Sequence, residues 1–376
     1  DDPAGASEGG LGQLALFHEN GFNPLGPIST LGLNLIMILM RTLCDNRRVG
    51  VMLMLMLGVV LLFLMSLLHG SVNIPIDEVA AIVLGEPSKA SWRFIVMETR
   101  LPQALTALLA GGALAASGLL LQTAFGNPLA APDIFGVTSG ASLAVALLTL
   151  APVAALPMAV GYLSGVAAAF VGALAVTALI FALSRWVHSP VVLMVVGIMV
   201  GYLASSGITL LNFFATEEGV KNFAVWGMGN FGNVSMDMMP VFAPLTLLAT
   251  LSTFLLMKPL NALLLGERYA ENLGVDVKAL RRALLVLTGL LTAVVTAFCG
   301  PIAFIALAVP HMARMLLRTS DHRQLLGMTI LTGQVVALLC NVLTTLPGDA
   351  GVLPLNAVTP LIGAPVIIYV LLDKKP

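Results

Sequence analysis

Ionised side chains are scarce in this chain of 376 residues, because only 10% are Asp, Glu, Lys or Arg whereas 58% are hydrophobic. An ordinary soluble domain carries about 25% charged residues, so this chain has too few charges to cover a water-facing surface. Its 18 basic and 19 acidic residues leave no positive surplus, which excludes a typical nucleic-acid-binding protein. The composition therefore predicts an integral membrane protein.

Cysteine frameworks and nucleotide-binding motifs are also missing. The three cysteines, Cys44, Cys299 and Cys340, are odd in number and lack metal-ligand spacing, so neither a disulfide framework nor a zinc site is expected. No lysine lies between a glycine and Ser or Thr, so the chain has no Walker motif to bind ATP phosphates. We predict that this chain binds no metal or cofactor and is not an enzyme.

Long uncharged stretches dominate what is present. A membrane-spanning helix needs about 20 mostly apolar residues, because the hydrocarbon core of a bilayer is about 30 Å thick. The predicted spans are Val51 to Leu68, Ala104 to Phe125, two between Asp133 and Arg185, Trp186 to Thr216, Met238 to Met257, two between Ala283 and Leu317, Gln324 to Leu346, and Asn356 to Leu372. We therefore predict an all-α integral membrane domain of ten transmembrane helices over residues 51–372.

The basic residues orient these spans. If the first span runs outward, the inside segments hold fourteen basic residues and the outside segments four. The inside set is Arg41, Arg47, Arg48, Arg185, Lys258, Arg268, Lys278, Arg281, Arg282, Arg314, Arg318, Arg323, Lys374 and Lys375, and the outside set is Lys89, Arg93, Arg100 and Lys221. Inside loops carry the excess of Lys and Arg in membrane proteins, so both ends of the domain, including the tail 373–376, are predicted to be cytoplasmic.

The first fifty residues do not fit the ten-span scheme. Asp1 to Pro27 is polar and Gly-rich, and the apolar run Ile28 to Met40 has only 13 residues, which is short for a crossing. We predict that residues 1–50 form a separate polar or interfacial segment, with disorder and a partly non-native origin as open alternatives.

The span centres lack the groups that couple transport to an ion gradient. Secondary transporters place carboxylates, histidines or lysines near the middle of their helices, and none is found there in this chain. A solute moved actively would then need energy from another subunit, since the chain has no ATP motif of its own. An ion-coupled secondary transporter is kept as the alternative function.

The longest inside loop, Lys258 to Arg282, is a candidate docking site for such a subunit. Gly266 and Gly274 separate two short predicted helices, Glu267 to Leu273 and Asp276 to Arg282. A pair of amphipathic helices exposed to the cytoplasm suits a contact with a soluble motor domain. The spacing fits an ordinary solvated loop equally well.

Four motifs resemble those of a known family. RLPQALTALLAGGALAASGLLLQTAFGNPLAAPDIFGVTSG begins at Arg100, GPIAFIALAVPHMAR at Gly300, LPLNAVTPLIGAP at Leu353, and LGERYAENLGV at Leu265. Together they are similar to the motifs of the iron-chelate (siderophore or haem) and vitamin B12 permeases of bacterial ABC importers. The resemblance runs in order from about residue 51 to residue 372.

This resemblance implies a multi-pass permease of the bacterial cytoplasmic (inner) membrane. It implies a homodimer of ten-helix protomers, two ATP-binding subunits that hold ATP and Mg, and a periplasmic or lipid-anchored substrate-binding protein. The cargo would be a ferric siderophore, haem or cobalamin, moved by alternating access. The coupling loop that contacts the ATPase would comprise Gly266, Glu267, Tyr269, Ala270, Leu273, Gly274 and Val275.

The resemblance also marks three further groups of residues. A cytoplasmic gate or turn would comprise Asn127, Pro128, Pro132 and Asp133, with simple turn chemistry as the alternative. His311 and Arg314 would form a polar pair near the inner surface, with hydrogen bonding to a helix end as the alternative. Docking of the binding protein would fall to Arg100, helped by Arg93 and Lys89, because Gln103 replaces the second arginine of the family motif; for Arg100, a snorkelling charge at a helix end is the alternative.

Overall fold

The computed structural model describes residues 27–70, 72–150, 162–187, 189–346 and 351–373, and within these ranges all regular structure is helical. The α-helices are α1 Pro27–Leu68, α2 Ile76–Val83, α3 Ala90–Phe94, α4 Leu101–Ala124, α5 Val137–Thr149, α6 Tyr162–Leu183, α7 Pro190–Phe214, α8 Glu217–Gly227, α9 Met239–Ser252, α10 Met257–Leu263, α11 Glu267–Asn272, α12 Val277–Cys299, α13 Ile305–Leu317, α14 His322–Thr345 and α15 Leu355–Asp373. A π-helical segment, Ile95–Arg100, joins α3 to α4.

Seven helical segments among the described residues are long and apolar enough to cross a membrane. They are Arg47–Leu68, Ala90–Ala124, Leu163–Leu183, Val191–Phe214, Met236–Leu263, Val277–Cys299 and His322–Thr345. Three shorter apolar helices, α5, α13 and α15, coincide with the remaining predicted spans. The prediction of an all-α membrane fold is confirmed, whereas length alone does not qualify the three short helices as crossings.

Helix boundaries depart from the sequence prediction at three places. Helix α1 begins at Pro27 rather than Val51, and Ala90–Ala124 is helical throughout although the span was predicted from Ala104. The second predicted loop helix, from Asp276, is the first turn of α12 and not a separate element. Hydrophobicity averages detect where a helix is apolar, so they miss polar turns that extend it.

Two N-terminal and loop predictions are not tested by this structure. Residues 1–26 lie outside the described ranges, and so do residues 151–161, between the two spans predicted from Asp133 to Arg185. Contacts between Cα atoms divide the chain at Met54, within α1. The separate character of residues 1–50 therefore stays a prediction.

Helix α4 lies at the centre of the bundle. Every residue from Ala110 to Ala124 is buried, and the helix packs against α9, α10, α12, α13 and α14. Its sequence is rich in Ala and Gly, which lets neighbouring backbones approach closely where lipid provides no hydrophobic drive for association. Other helices therefore surround α4 on most sides.

Glycines set the closest helix crossings. A Cβ placed on Gly111 of α4 would overlap the carbonyl of Gly333 in α14, and the reverse substitution would overlap the carbonyl of Gly111. A Cβ on Gly118 would overlap the carbonyl oxygen of Ala306 in α13. These positions tolerate no side chain because backbone, which cannot rotate away, occupies the space.

Threonine hydroxyls provide most of the polarity of the buried interior. Each of the following donates a hydrogen bond to the carbonyl one turn earlier in its own helix: Thr106, Thr123, Thr177, Thr246, Thr288, Thr292, Thr329 and Thr332. Apart from the thiols of Cys299 and Cys340, the buried ionisable side chains among the described residues are Arg100, His311 and His322. Local bonding lets the hydroxyls enter an apolar bundle without an unsatisfied donor.

Gly118→Ala is expected to destabilise the fold by about 1–3 kcal/mol, because overpacking against backbone forces α4 and α13 apart. Gly327→Ala is the matched control, since a Cβ at this position in α14 meets no atom within 4 Å. Thermal unfolding in detergent should show a lower midpoint for Gly118→Ala only. Equal midpoints for the two variants would contradict the proposed close crossing.

Candidate functional site

The predicted coupling loop folds as two short helices ahead of α12. Helix α10 packs against α4 and α14, and α11 follows after Gly266. Gly266 and Gly274, with φ of 102° and 84°, bracket α11 in backbone conformations that favour glycine. Asp276 then caps α12, where its side chain accepts from the N–H of Ala279 at 2.9 Å.

Helix α11 presents an exposed face to solvent and is anchored at its back. Ala270 is fully buried, whereas the side chains of Tyr269 and Leu273 are 62% and 60% exposed. The guanidinium of Arg281 donates to Glu267 at 2.7 Å and ties α11 to α12. An anchored helix with an exposed aromatic and an exposed leucine is the arrangement expected of a protein-docking element.

A buried polar network connects this loop to the core, and sequence reasoning missed it. Asn261 of α10 donates through Nδ2 to Asp321 at 2.6 Å, and its Oδ1 accepts from the backbone N–H of His322 at 2.8 Å. The His322 ring lies with Nδ1 2.9 Å from that same Oδ1 and Nε2 2.8 Å from Thr123 Oγ1 in α4. The network thus bridges α10, α14 and α4.

Asp321 begins α14 and stabilises the network electrostatically. The pKa of its carboxyl group lies below the ordinary value, chiefly because the backbone N–H of Arg323 donates to it, with the amide of Asn261 adding a second bond. The Asp321, His322, Arg323 sequence after the PHMAR motif was the available signal. Asn261 lies 60 residues away in sequence, so only the fold pairs them.

The predicted gate residues form the turn that follows α4. Asn127 Oδ1 accepts from the N–H of Leu129 at 2.9 Å, which satisfies a donor freed by the prolines. Asp133 accepts a hydrogen bond from the hydroxyl of Thr138 at 2.6 Å. It does not cap a helix at Ile134, because the next helix begins only at Val137. Pro132 is buried beside it.

The predicted polar pair and the predicted gate turn meet in the structure. His311 Nε2 lies 2.8 Å from the carbonyl of Pro128, and since a carbonyl only accepts, this nitrogen carries the proton. Arg314 donates to Gln122 Oε1 at 2.6 Å, while Gln122 Nε2 donates to the carbonyl of Leu307 at 3.1 Å. Both residues therefore join α13 to the end of α4 and border a cavity of about 420 Å³.

Arg100 is buried, and its guanidinium forms hydrogen bonds within the fold. It is 5% exposed and donates to the carbonyls of Leu67 and Leu68, each at 2.9 Å, and to that of Val72. The side chain therefore ties α4 to the end of α1 and the segment after it. Its docking role stays a prediction.

The other predicted docking cations are available at the surface. Arg93 and Lys89 are both exposed on or just before α3, and Lys89 Nζ lies 4.1 Å from the ring centroid of Trp92. Gln103, at the position of the second motif arginine, instead donates to Asn341 at 2.8 Å inside the bundle. The docking role of Lys89 and Arg93 stays a prediction.

Asn356 is a further positioning residue that the sequence reasoning did not single out. Its Nδ2 lies within hydrogen-bonding distance of the carbonyls of Gly227 and Pro301, at 3.1 and 2.8 Å, and its Oδ1 accepts from the N–H of Ala303 at 3.1 Å. One side chain thus joins α15, the end of α8 and the turn before α13. The LPLN motif that contains it was the available signal.

This bundle of apolar helices is that of a multi-pass membrane protein. Residues 56–373 match the FecCD transport family. The chain belongs to that family.

Individual relatives agree with this assignment. The chain is 34% identical to the hemin transport system permease protein HmuU of Yersinia pestis over 324 residues, which are 85% of this chain and 96% of the relative. It is 35% identical to the vitamin B12 import system permease protein BtuC of Klebsiella pneumoniae over 292 residues, 77% of this chain and 86% of the relative.

A solved structure shares the fold. A metal-chelate type ABC transporter in an inward-facing conformation superposes with a TM-score of 0.75 and 30% identity, covering 87% of this chain and 99% of the solved one. The resemblance seen in the four sequence motifs is confirmed at the level of the family and the fold.

Replacing Arg100 tests its structural placement. Arg100→Gln should destabilise the protein by about 1.5–3 kcal/mol, because three carbonyls, one of them fully buried, lose a charged donor. Arg100→Lys should restore little of this, since an ammonium cannot reproduce the planar fork of a guanidinium. Thermal unfolding in detergent measures both, with the exposed Arg93→Gln as the matched control.

A different result would favour the docking role of Arg100 over a role within the fold. If Arg100→Gln unfolds at the midpoint of the unmodified protein but binds the delivery protein more weakly at low salt, the guanidinium acts between proteins and not within the fold.

Proposed function

We propose that this chain is the permease subunit of a binding-protein-dependent ABC importer that moves a metal chelate across the bacterial inner membrane. The observation that carries the proposal is family membership over residues 56–373. The relatives are named for hemin and vitamin B12 transport, and the solved neighbour is of the metal-chelate type. We propose a ferric siderophore, haem or cobalamin as the cargo.

The proposed assembly contains ten crossings per protomer, both ends of each domain in the cytoplasm, and two copies of this chain. Helices α5, α13 and α15 supply the three crossings that are short, and they pack within the bundle against longer neighbours. Two ATP-binding subunits would dock at α11, and a substrate-binding protein would dock at the opposite end. This chain itself would bind neither ATP nor a cofactor.

The proposed mechanism is alternating access driven from α11. A partner that moves α11 also moves α10, and the bonds from Asn261 to Asp321 and His322 carry that movement to α14 and α4. The end of α4 leads into the turn at Pro128, which His311 holds against α13. Displacement of α11 can therefore open or close a path at this end of the bundle without any covalent chemistry.

The buried interior favours this proposal over an ion-coupled secondary transporter. The buried side chains among the described residues include no Asp, Glu or Lys, and eight of the buried threonines bond to carbonyls of their own helices. An ion-coupled carrier needs a group that binds and releases the coupling ion inside the membrane. The lack of buried Asp, Glu and Lys among the described residues therefore supports an energy source outside this chain.

Reconstituted transport tests the proposed function. Proteoliposomes containing the chain and its ATPase should accumulate a chelate only when ATP and the loaded binding protein are present. Uptake should be unaffected when a proton or sodium gradient is dissipated. Uptake that follows the gradient and ignores ATP would overturn the proposal in favour of the ion-coupled alternative.

Substitutions on α11 test the proposed motor contact. The single variants Tyr269→Ser and Leu273→Ser should each weaken association with the ATPase by about tenfold or more. This is the effect of losing about 1.4 kcal/mol of apolar contact. Leu84→Ser, at an exposed leucine outside the coupling loop, is the matched control. Co-purification and binding-protein-stimulated ATP hydrolysis are the measurements.

Two results would argue against this contact. Either equal association for all three variants, or a loss caused by Leu84→Ser alone, would show that the exposed face of α11 is not where the motor docks.

A further inference from the structure

A second cation-rich feature lies beside α11 and is not used by the proposed mechanism. The end of α6, helix α11 and the start of α12 enclose a groove of about 290 Å³. Its charged lining is Arg185, Lys278, Arg281, Arg282, Glu267 and Glu271. Four cations thus face two carboxylates, which leaves two positive charges in excess.

The excess charge is available to a ligand. Arg281 and Glu267 neutralise one another at 2.7 Å, so the free charges are three cations against Glu271. Arg185, Lys278 and Arg282 are exposed, and none of the three is paired with a carboxylate of the described residues. Arg282 donates to the carbonyl of Lys278 through its Nε alone, at 3.2 Å.

The groove lies next to the exposed apolar side of α6. The side chains of Leu163, Val171, Leu179 and Trp186 are 67%, 63%, 44% and 73% exposed. Leu179 and Trp186, which are seven residues or about two helical turns apart, lie nearly in line, and Trp186 is next to Arg185 of the groove. Exposed tryptophan beside basic residues is typical of the headgroup level of a bilayer.

We propose that this groove binds the phosphodiester headgroup of an anionic phospholipid, such as phosphatidylglycerol or cardiolipin. The phosphate oxygens would accept from Arg185, Lys278 and Arg282, and the acyl chains would lie against the exposed apolar side of α6. Lipid fits better than an acidic segment of a soluble partner, because exposed apolar side chains, Leu179 and Trp186, lie next to the cations of the groove. The proposal does not depend on the transported cargo.

Lipid titration of the full chain tests this site. In a neutral detergent, phosphatidylglycerol should bind to the unmodified protein and raise its unfolding midpoint, whereas phosphatidylcholine should not. The double variant Lys278→Gln, Arg282→Gln should lose about 10- to 30-fold in phosphatidylglycerol affinity, by native mass spectrometry and by the midpoint shift. Its midpoint in phosphatidylcholine should equal that of the unmodified protein, which shows that it folds.

A matched control separates a site from general surface attraction. Lys258→Gln, Arg323→Gln removes two exposed cations at the same end of the bundle that do not line the groove. It should retain phosphatidylglycerol affinity, and an equal loss in both double variants would overturn the proposal.

Two further arms identify other sources of the same chemistry. Inorganic phosphate that reproduces the midpoint shift without lipid would replace the lipid by a soluble phosphate ligand. If the groove variant keeps its affinity for phosphatidylglycerol but loses the ATPase in co-purification, the groove belongs to the motor interface and the lipid proposal fails.

Discussion

The close packing of α4 within the bundle is the constraint on which the rest of the structure depends. Inside a bilayer, helices gain little from excluding water, so they associate through backbone proximity and dispersion contacts. Gly111 and Gly118 allow that proximity against α14 and α13 because they present no side chain. Because α4 is enclosed, it fixes the positions of the helices around it at both ends of the bundle. The polar residues at its two ends have different roles.

At one end of α4, polar side chains join separate helices. At the other end, they bond to the backbone at the end of α1. Thr123 and Gln122 connect α4 to α14 and α13, and through His322 and Asn261 to the loop that carries α11. At the opposite end, Arg100 donates hydrogen bonds to backbone carbonyls. Hydrogen bonds thus bridge separate helices at one end of α4, and at the other end they close the segment that follows α1.

The few charges in this chain serve several functions that net charge conceals. One buried cation donates to backbone carbonyls within the fold, the cations near α3 are exposed, and a surplus of cations lines the groove beside α11. Each role follows from burial and from the nearest carboxylate or carbonyl, not from the sign of the charge. Neutral threonines serve the interior instead, because their hydroxyls are satisfied within their own helices.

The sequence by itself determined the all-α membrane fold, the approximate helix positions, the family and the place of the loop that carries α11. Those features depend on local hydrophobicity and on contiguous motifs, which are readable along the chain. Only the tertiary structure decided that Arg100 is internal, that His311 meets Pro128, and that Asn261 pairs with Asp321. These contacts join residues far apart in sequence, and their partners depend on helix rotation, which uniformly apolar spans leave unspecified.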